Sequence, residues 1–183
     1  MVDIAKELEE GGSILLLVSG MKYSDSIYDV AKQLADKKVC YVSLNKTADA
    51  VKAGLKARGI DPKGMAFVDA ISRSLNEGPM QSGSTYFVSS PGELTEMSIV
   101  IHKLLAKKFD YLIFDSLSNL FVYQKKEPVI KFVSLLINRV RESGTGAVFY
   151  AVKIADDEAA IQQTSMFVDK VIDLEGEAPP SGQ

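Results

Sequence analysis

The residues of this chain best placed to hold phosphate are Gly20, Lys22, Ser24 and Ser26, in the stretch Gly20-Met-Lys-Tyr-Ser-Asp-Ser-Ile27 that follows the apolar run from Ile14. A strand, a tight turn and a helix start form the setting in which backbone amides wrap an anion. The nucleotide-binding version of such a loop is spaced Gly, four residues, then Gly-Lys-Ser/Thr. Counted from Gly20, the second glycine is Asp25, the lysine is Ser26 and the magnesium-binding hydroxyl is Ile27. Asp25 brings a Cβ and a negative charge where amides should meet phosphate. Ser26 carries no cation, and Ile27 cannot ligate Mg²⁺. Far downstream, Asp110-Tyr-Leu-Ile-Phe-Asp115-Ser reads as a buried strand ending in a carboxylate, the usual place of a metal-site acid. Together these residues outline a nucleotide-hydrolysing centre without its phosphate loop. Lys22 and Ser24 keep the polarity to meet an anion, but an exposed loop accounts for them as well, and that plainer reading is preferred. Without a loop hydroxyl to share a metal, Asp115 is expected to hydrogen-bond the turn into Ser116 and Ser118.

The elements that must carry these residues alternate along the chain. Ile14 to Ser19 is a strand, and Ile27, Val30, Ala31 and Leu34 recur at helical spacing after it. Val39 to Leu44 is a second strand. Thr47 is placed to cap a helix with Asp49 in its first turn, and Arg58-Gly59 is placed to close it. Met65 to Ala70 is a third strand, and the polar stretch Ser72 to Ser84 reads as a long loop. After a short strand, Thr85 to Ser89, the sequence Ser90-Pro-Gly-Glu93 predicts a helix with Ser90 as N-cap. Tyr111 to Phe114 is unbroken apolar, as a central parallel strand requires. A long helix from about Pro128 to Ser143-Gly144, a strand Ala147 to Val152, a helix Asp156 to Met166 and a strand Lys170 to Leu174 complete the series. Such alternation predicts a three-layer α/β/α fold on a mostly parallel sheet. Residues 1–12 read as a short amphipathic helix in need of something to dock on, residues 13–174 as one domain, and residues 175–183 as a disordered tail.

Composition agrees with one domain: 183 residues, 46% hydrophobic and 25% charged. With 21 Lys+Arg against 24 Asp+Glu, the net charge is −3, and no basic run marks a nucleic-acid surface. The single cysteine, Cys40, sits in an apolar strand and reads as a small buried hydrophobe. The longest N-terminal apolar run is too short to span a bilayer and has acidic flanks, so a cytoplasmic protein without membrane contact is expected. His102 reads as a helix surface residue, and Met80, Met97 and Met166 as core or loop residues. Arg139 and Arg141 read as a solvated helix face, with an interface or trans-acting role as the alternative.

From about Gly11 to Leu174 the chain resembles KaiC-like members of the RecA-type P-loop ATPases. The likeness is carried by the turn at Gly20, by Val42-Ser-Leu44 followed by a helix and Gly59-Ile-Asp61, and by Met65-Ala-Phe-Val-Asp-Ala70. Phe114-Asp-Ser-Leu-Ser118 and Val168-Asp-Lys-Val-Ile-Asp-Leu174 extend it. It is especially similar to archaeal KaiC-like domains whose Walker A loop is decayed. The resemblance implies a RecA-like sheet, with Gly20, Lys22, Ser24, Ser26 and Asp115 as a vestigial nucleotide site. In active relatives the second strand is followed by a glutamate pair that polarises water. Here those positions hold Asn45 and Lys46, which cannot take the proton at neutral pH.

Loss of loop lysine, metal hydroxyl and base removes most of the electrostatic stabilisation that phosphoryl transfer relies on. The expectation is therefore a non-hydrolysing pseudo-ATPase with no catalytic residue, no metal and neither ATP nor Mg²⁺ as cofactor. Its role would be that of a regulatory or scaffolding module, forming a homo-oligomer or docking on another ATPase or signalling protein. The N-terminal segment and the Ser72 to Ser84 loop are its candidate contact surfaces. A nucleotide- or anion-binding sensor at Gly20 to Ser26 is the alternative, with a weak ATPase more distant. A Rossmann or flavodoxin-like domain is disfavoured, because the loop lacks the further glycines of the dinucleotide fingerprint.

Overall fold

The computed structural model describes residues 2–8 and 12–175. A short helix α1 (Ile4–Glu7) precedes β1 (Ser13–Val18), α2 (Tyr23–Gln33), β2 (Val39–Ser43), α3 (Ala48–Ala57) and β3 (Met65–Asp69). Then come α4 (Ser72–Leu75), β4 (Gln81–Ser82), β5 (Thr85–Phe87), α5 (Leu94–Leu105), β6 (Tyr111–Asp115), α6 (Leu117–Tyr123) and α7 (Lys126–Ser143). The series closes with β7 (Gly146–Val152), α8 (Glu158–Ser165) and β8 (Lys170–Asp173). The eight strands form one sheet in the order β4-β5-β3-β2-β6-β7-β1-β8. All neighbours run parallel except β4, which pairs antiparallel with β5.

Alternation along each strand sorts the core into two layers. Ile14, Leu16 and Val18 of β1 face a cluster with α1, α2 and α3, whereas Leu15 faces the cluster built by α5, α6, α7 and α8. Because both faces are covered, β2 and β3 are buried at every position. Cys40 lies fully buried in this interior, and loss of hydration pushes its thiol pKa up to about 12. Helices α2 and α3 approach closely: a Cβ on Gly54 would lie 2.0 Å from the Tyr28 hydroxyl.

Thr47 caps α3 by accepting from the Ala50 amide at 3.2 Å, and Gly144 ends α7 at φ 71°, a conformation costly for other residues. Elsewhere the structure departs from the sequence-based expectation. Helix α5 begins at Leu94 rather than after Ser90, because the Ser90 carbonyl accepts from Glu93 N in a turn built on Pro91. The expected loop from Ser72 to Ser84 contains α4 and a hairpin. The Asp69 carboxylate accepts from the Ile71 and Ser72 amides and seeds α4, while Gly83 at φ 57° turns β4 back onto β5. Helix α6 has no counterpart in the sequence-based reading, and α7 starts two residues ahead of Pro128, a first-turn position where proline is tolerated.

The N-terminal segment docks on its own domain. Ile4 and Leu8 are buried in the α2-side cluster, and the Gln33 side chain accepts from Ile4 N at 2.7 Å and donates to the Val2 carbonyl at 3.2 Å. Its apolar face is thus not the free contact surface expected from sequence. The tail beyond Glu175 lies outside the described residues.

Candidate functional site

Parallel strands place their carboxyl ends on one edge, where α/β folds bind ligands. On that edge Ser43 of β2 stands level with Asp69 of β3 on one side and Asp115 of β6 on the other. Strand β7 alone separates β6 from β1, so the turn after β1 and Asp115 border a single crevice.

The turn is short. Lys22 N donates to the Ser19 carbonyl, and α2 begins at Tyr23. Asp25, Ser26 and Ile27, which would have to wrap phosphate in an eight-residue loop, are already helical and bonded elsewhere. Asp25 pairs with Arg58 at 3.6 Å, the buried Ser26 hydroxyl donates to the Tyr23 carbonyl at 2.8 Å, and Ile27 packs in the core. Gly20 is exposed at the tip of the turn, and Ser24 is half-buried in the first turn of α2. The Lys22 side chain is 65% exposed and points to Glu175, 3.9 Å away, a carboxylate that also accepts from the Ser19 hydroxyl. The structure therefore scatters the loop residues instead of gathering them around an anion.

Asp115 is gathered, but not as expected. Its carboxyl, 2% exposed, accepts from Tyr23 Oη at Oδ1 and from Tyr41 Oη at Oδ2, the latter at 2.5 Å. It does not bond the following turn: Ser116 Oγ donates to Asn119, and Ser118 Oγ accepts from the Val152 amide. Burial drives the Asp115 pKa from 3.8 up to about 8 through lost hydration of the carboxylate, and no salt bridge among the described residues offsets it. Tyr41 and Tyr150 are buried as well, and their phenols are pushed above the ordinary range. Tyr150 stands edge-on to Tyr23 with ring centroids 6.2 Å apart and donates to the Ser26 carbonyl at 3.0 Å. Asn45 Nδ2 donates to Tyr23 Oη at 3.2 Å, while its Oδ1 is buried with no partner among the described residues. Lys46 is exposed, and among the described residues only its carbonyl is engaged, by the Ser43 hydroxyl.

Three tyrosines, one buried acid and one amide thus fill the crevice. Sequence reasoning passed over Tyr23, Tyr41 and Tyr150. The available signal was a phenol at the phosphate turn and two more inside strongly apolar strands, since a buried tyrosine hydroxyl needs a partner. Asp69 on the same edge is fully committed: it accepts from Ala48 N at 2.7 Å as well as from the start of α4. A magnesium-bound triphosphate does not match this donor set. The turn is too short to cradle it, its nearest lysine is paired outward, and both oxygens of the candidate metal acid accept from tyrosines. Among the described residues no cluster of metal-ligating side chains occurs, and no helix is long and apolar enough to cross a membrane. Arg139 and Arg141 are tied within the chain, Arg139 to Ser98 Oγ at 2.6 Å and Arg141 to Asp169 at 2.9 Å. Against the cost of partial burial, two hydrogen bonds from Ser13, helped by that second pair, hold Asp169 below the usual carboxylate range. His102 is exposed on α5.

The fold is that of a KaiC-like protein of the RecA type. The crystal structure of the KaiC-like protein PH0186 from the hyperthermophilic archaea Pyrococcus horikoshii OT3 superposes with a TM-score of 0.62 at 14% sequence identity. The match covers 91% of this chain and 73% of that one. Comparison with curated proteins finds no match. Residues 15–174, from the third residue of β1 to just beyond β8, match the model of a family of unknown function, DUF7504, and the chain belongs to that family.

Proposed function

We propose that this chain is a non-hydrolysing RecA-fold domain that works as a regulatory or scaffolding interaction module, by self-association or by docking on another ATPase or signalling protein. The observation that carries the reading is the Tyr23–Asp115–Tyr41 contact: the acid that would face a metal is buried against two phenols of its own chain. A group so held has neither the charge nor the access that phosphoryl transfer needs. Asn45 and Lys46, where the family resemblance places a water-activating pair, supply no base.

The test is calorimetric titration of ATP and ADP, with and without Mg²⁺, into protein shown to carry no co-purified ligand. Silence up to millimolar nucleotide is expected. Binding in the micromolar range, about −8 kcal/mol, would overturn the pseudo-ATPase reading and favour an anion sensor at Gly20 to Ser26. Light scattering tests the scaffolding part. Dimers or larger assemblies, alone or with a partner, are expected, and a chain that is monomeric and joins no partner would count against it.

A further inference from the structure

Helices α5 and α7 pack side by side over the sheet, and the groove between them opens to solvent with a volume of about 450 Å³. Its floor is Phe132, and its walls carry Ile99 and Leu135, each about half exposed (51% and 52%), though both belong to types that normally turn inward. Every ionisable side chain lining it is basic: His102, Lys103, Lys131 and Arg139. Among the described residues neither Lys103 nor Lys131 is paired with a carboxylate. This cationic, apolar trough stands on a chain whose net charge is −3. Leu135 and Lys131 also line the groove on the other side of α7, against α8, so the apolar surface continues across the helix.

Resting on the reading of this domain as an interaction module, we infer that the α5–α7 groove binds an amphipathic helix of another protein, one that flanks its apolar stripe with aspartate or glutamate. Shape, length and charge all favour that occupant. The lining runs along α5 from Leu94 to Lys103 and along α7 from Pro128 to Arg139. At 1.5 Å per residue this is a trough of roughly 15 Å, the span of two to three helical turns. Anchors at i, i+4 and i+7 would drop between Ile99 and Leu135, as in other helix-in-groove complexes. Carboxylates beside them would meet Lys103 and Lys131 and raise the association rate. A second copy is a poor occupant, since no described helix of this chain combines an exposed apolar stripe with acidic neighbours. A bilayer is also a poor fit, because the apolar side chains line a concavity and do not project from a convex face.

A helical-peptide display library, randomised in charge around a fixed apolar stripe, panned against the intact chain gives the test. The expected winners carry Asp or Glu beside the stripe and bind at least tenfold more weakly to K103E/K131E, whose exposed substitutions leave thermal unfolding unchanged, and to L135D. Enrichment of neutral or basic helices, affinity that does not respond to these substitutions, or co-sedimentation with phosphatidylserine vesicles in place of peptide binding would each overturn the inference. Recovery of no helix at all would do the same. The nucleotide titration is independent of these variants. Nucleotide binding would therefore defeat the proposed function without touching the peptide result, and the reverse holds for a failed selection.

Discussion

Asp115 shows how one side chain can change occupation while keeping its place. Its position at the end of β6 was legible from sequence, since an apolar run ending in an acid has few other readings. Its partners were not, because Tyr23 and Tyr41 lie 92 and 74 residues away and meet it only when the sheet forms. The consequence is measurable as a pH dependence. With its pKa raised from 3.8 to about 8 in the folded chain, Asp115 binds its proton more tightly folded than unfolded. Its contribution is fully present below about pH 4, declines as pH rises, and is lost above about pH 8. Asp115→Asn keeps the shape and the acceptor oxygen but removes the titration. Urea unfolding of this variant between pH 4 and pH 9 should give a flatter profile than the parent. An unchanged slope would show that the carboxyl is not the titrating group.

At the scale of elements, the decisive event is where α2 begins. The spacing of Ile27, Val30, Ala31 and Leu34 predicted the helix but not its first residue, and a start at Tyr23 turns the would-be phosphate loop into helix interior. Restoring the motif residues should therefore fail. The triple variant Asp25→Gly, Ser26→Lys, Ile27→Thr is expected to show no rise in thermal midpoint with Mg·ATP, and to be destabilised by about 1–3 kcal/mol through loss of Ile27 packing and a helical glycine. A clear ATP-dependent rise in differential scanning fluorimetry would mean that the helix start is set by those three residues and not by Tyr23. The same scale explains which boundaries sequence reasoning reached. Thr47, Gly59 and Gly144 act through neighbours within a turn, so local chemistry decides them. Ser90 looked equivalent, but a competing turn took its carbonyl, and the helix starts at Leu94 with no side-chain cap, while Glu96 in its first turn accepts from Ser89 N at 3.0 Å. Helix α6 was hard to read because Leu117 to Tyr123 is only seven residues long and no side-chain hydrogen bond caps its start.

For the whole molecule, alternation of strands and helices was sufficient to predict the three layers, since a parallel sheet buried on both faces leaves little other arrangement. What alternation does not reveal is how the N-terminal segment is used. Ile4 and Leu8 close the α2-side core, so deletion of residues 1–8 should cost stability and not merely remove a handle. Burial of two such side chains contributes about 3–6 kcal/mol, and the truncated chain is expected to unfold at markedly lower urea while keeping its helical circular dichroism at rest. An unchanged midpoint would indicate that the segment is peripheral after all. The tyrosine that fills the crevice has a further implication for the molecule as a signal. The Tyr23 phenol is tethered to the same chain, so its local concentration at Asp115 cannot fall, and an outside ligand competes with a resident that never diffuses away. If displacing it costs about 3 kcal/mol, any rival loses roughly two orders of magnitude in affinity. Under the proposed function, the face this domain offers its partners is then the same whether the cell is rich or poor in nucleotide. What a partner can sense is how many copies of the domain are present, not what they have bound.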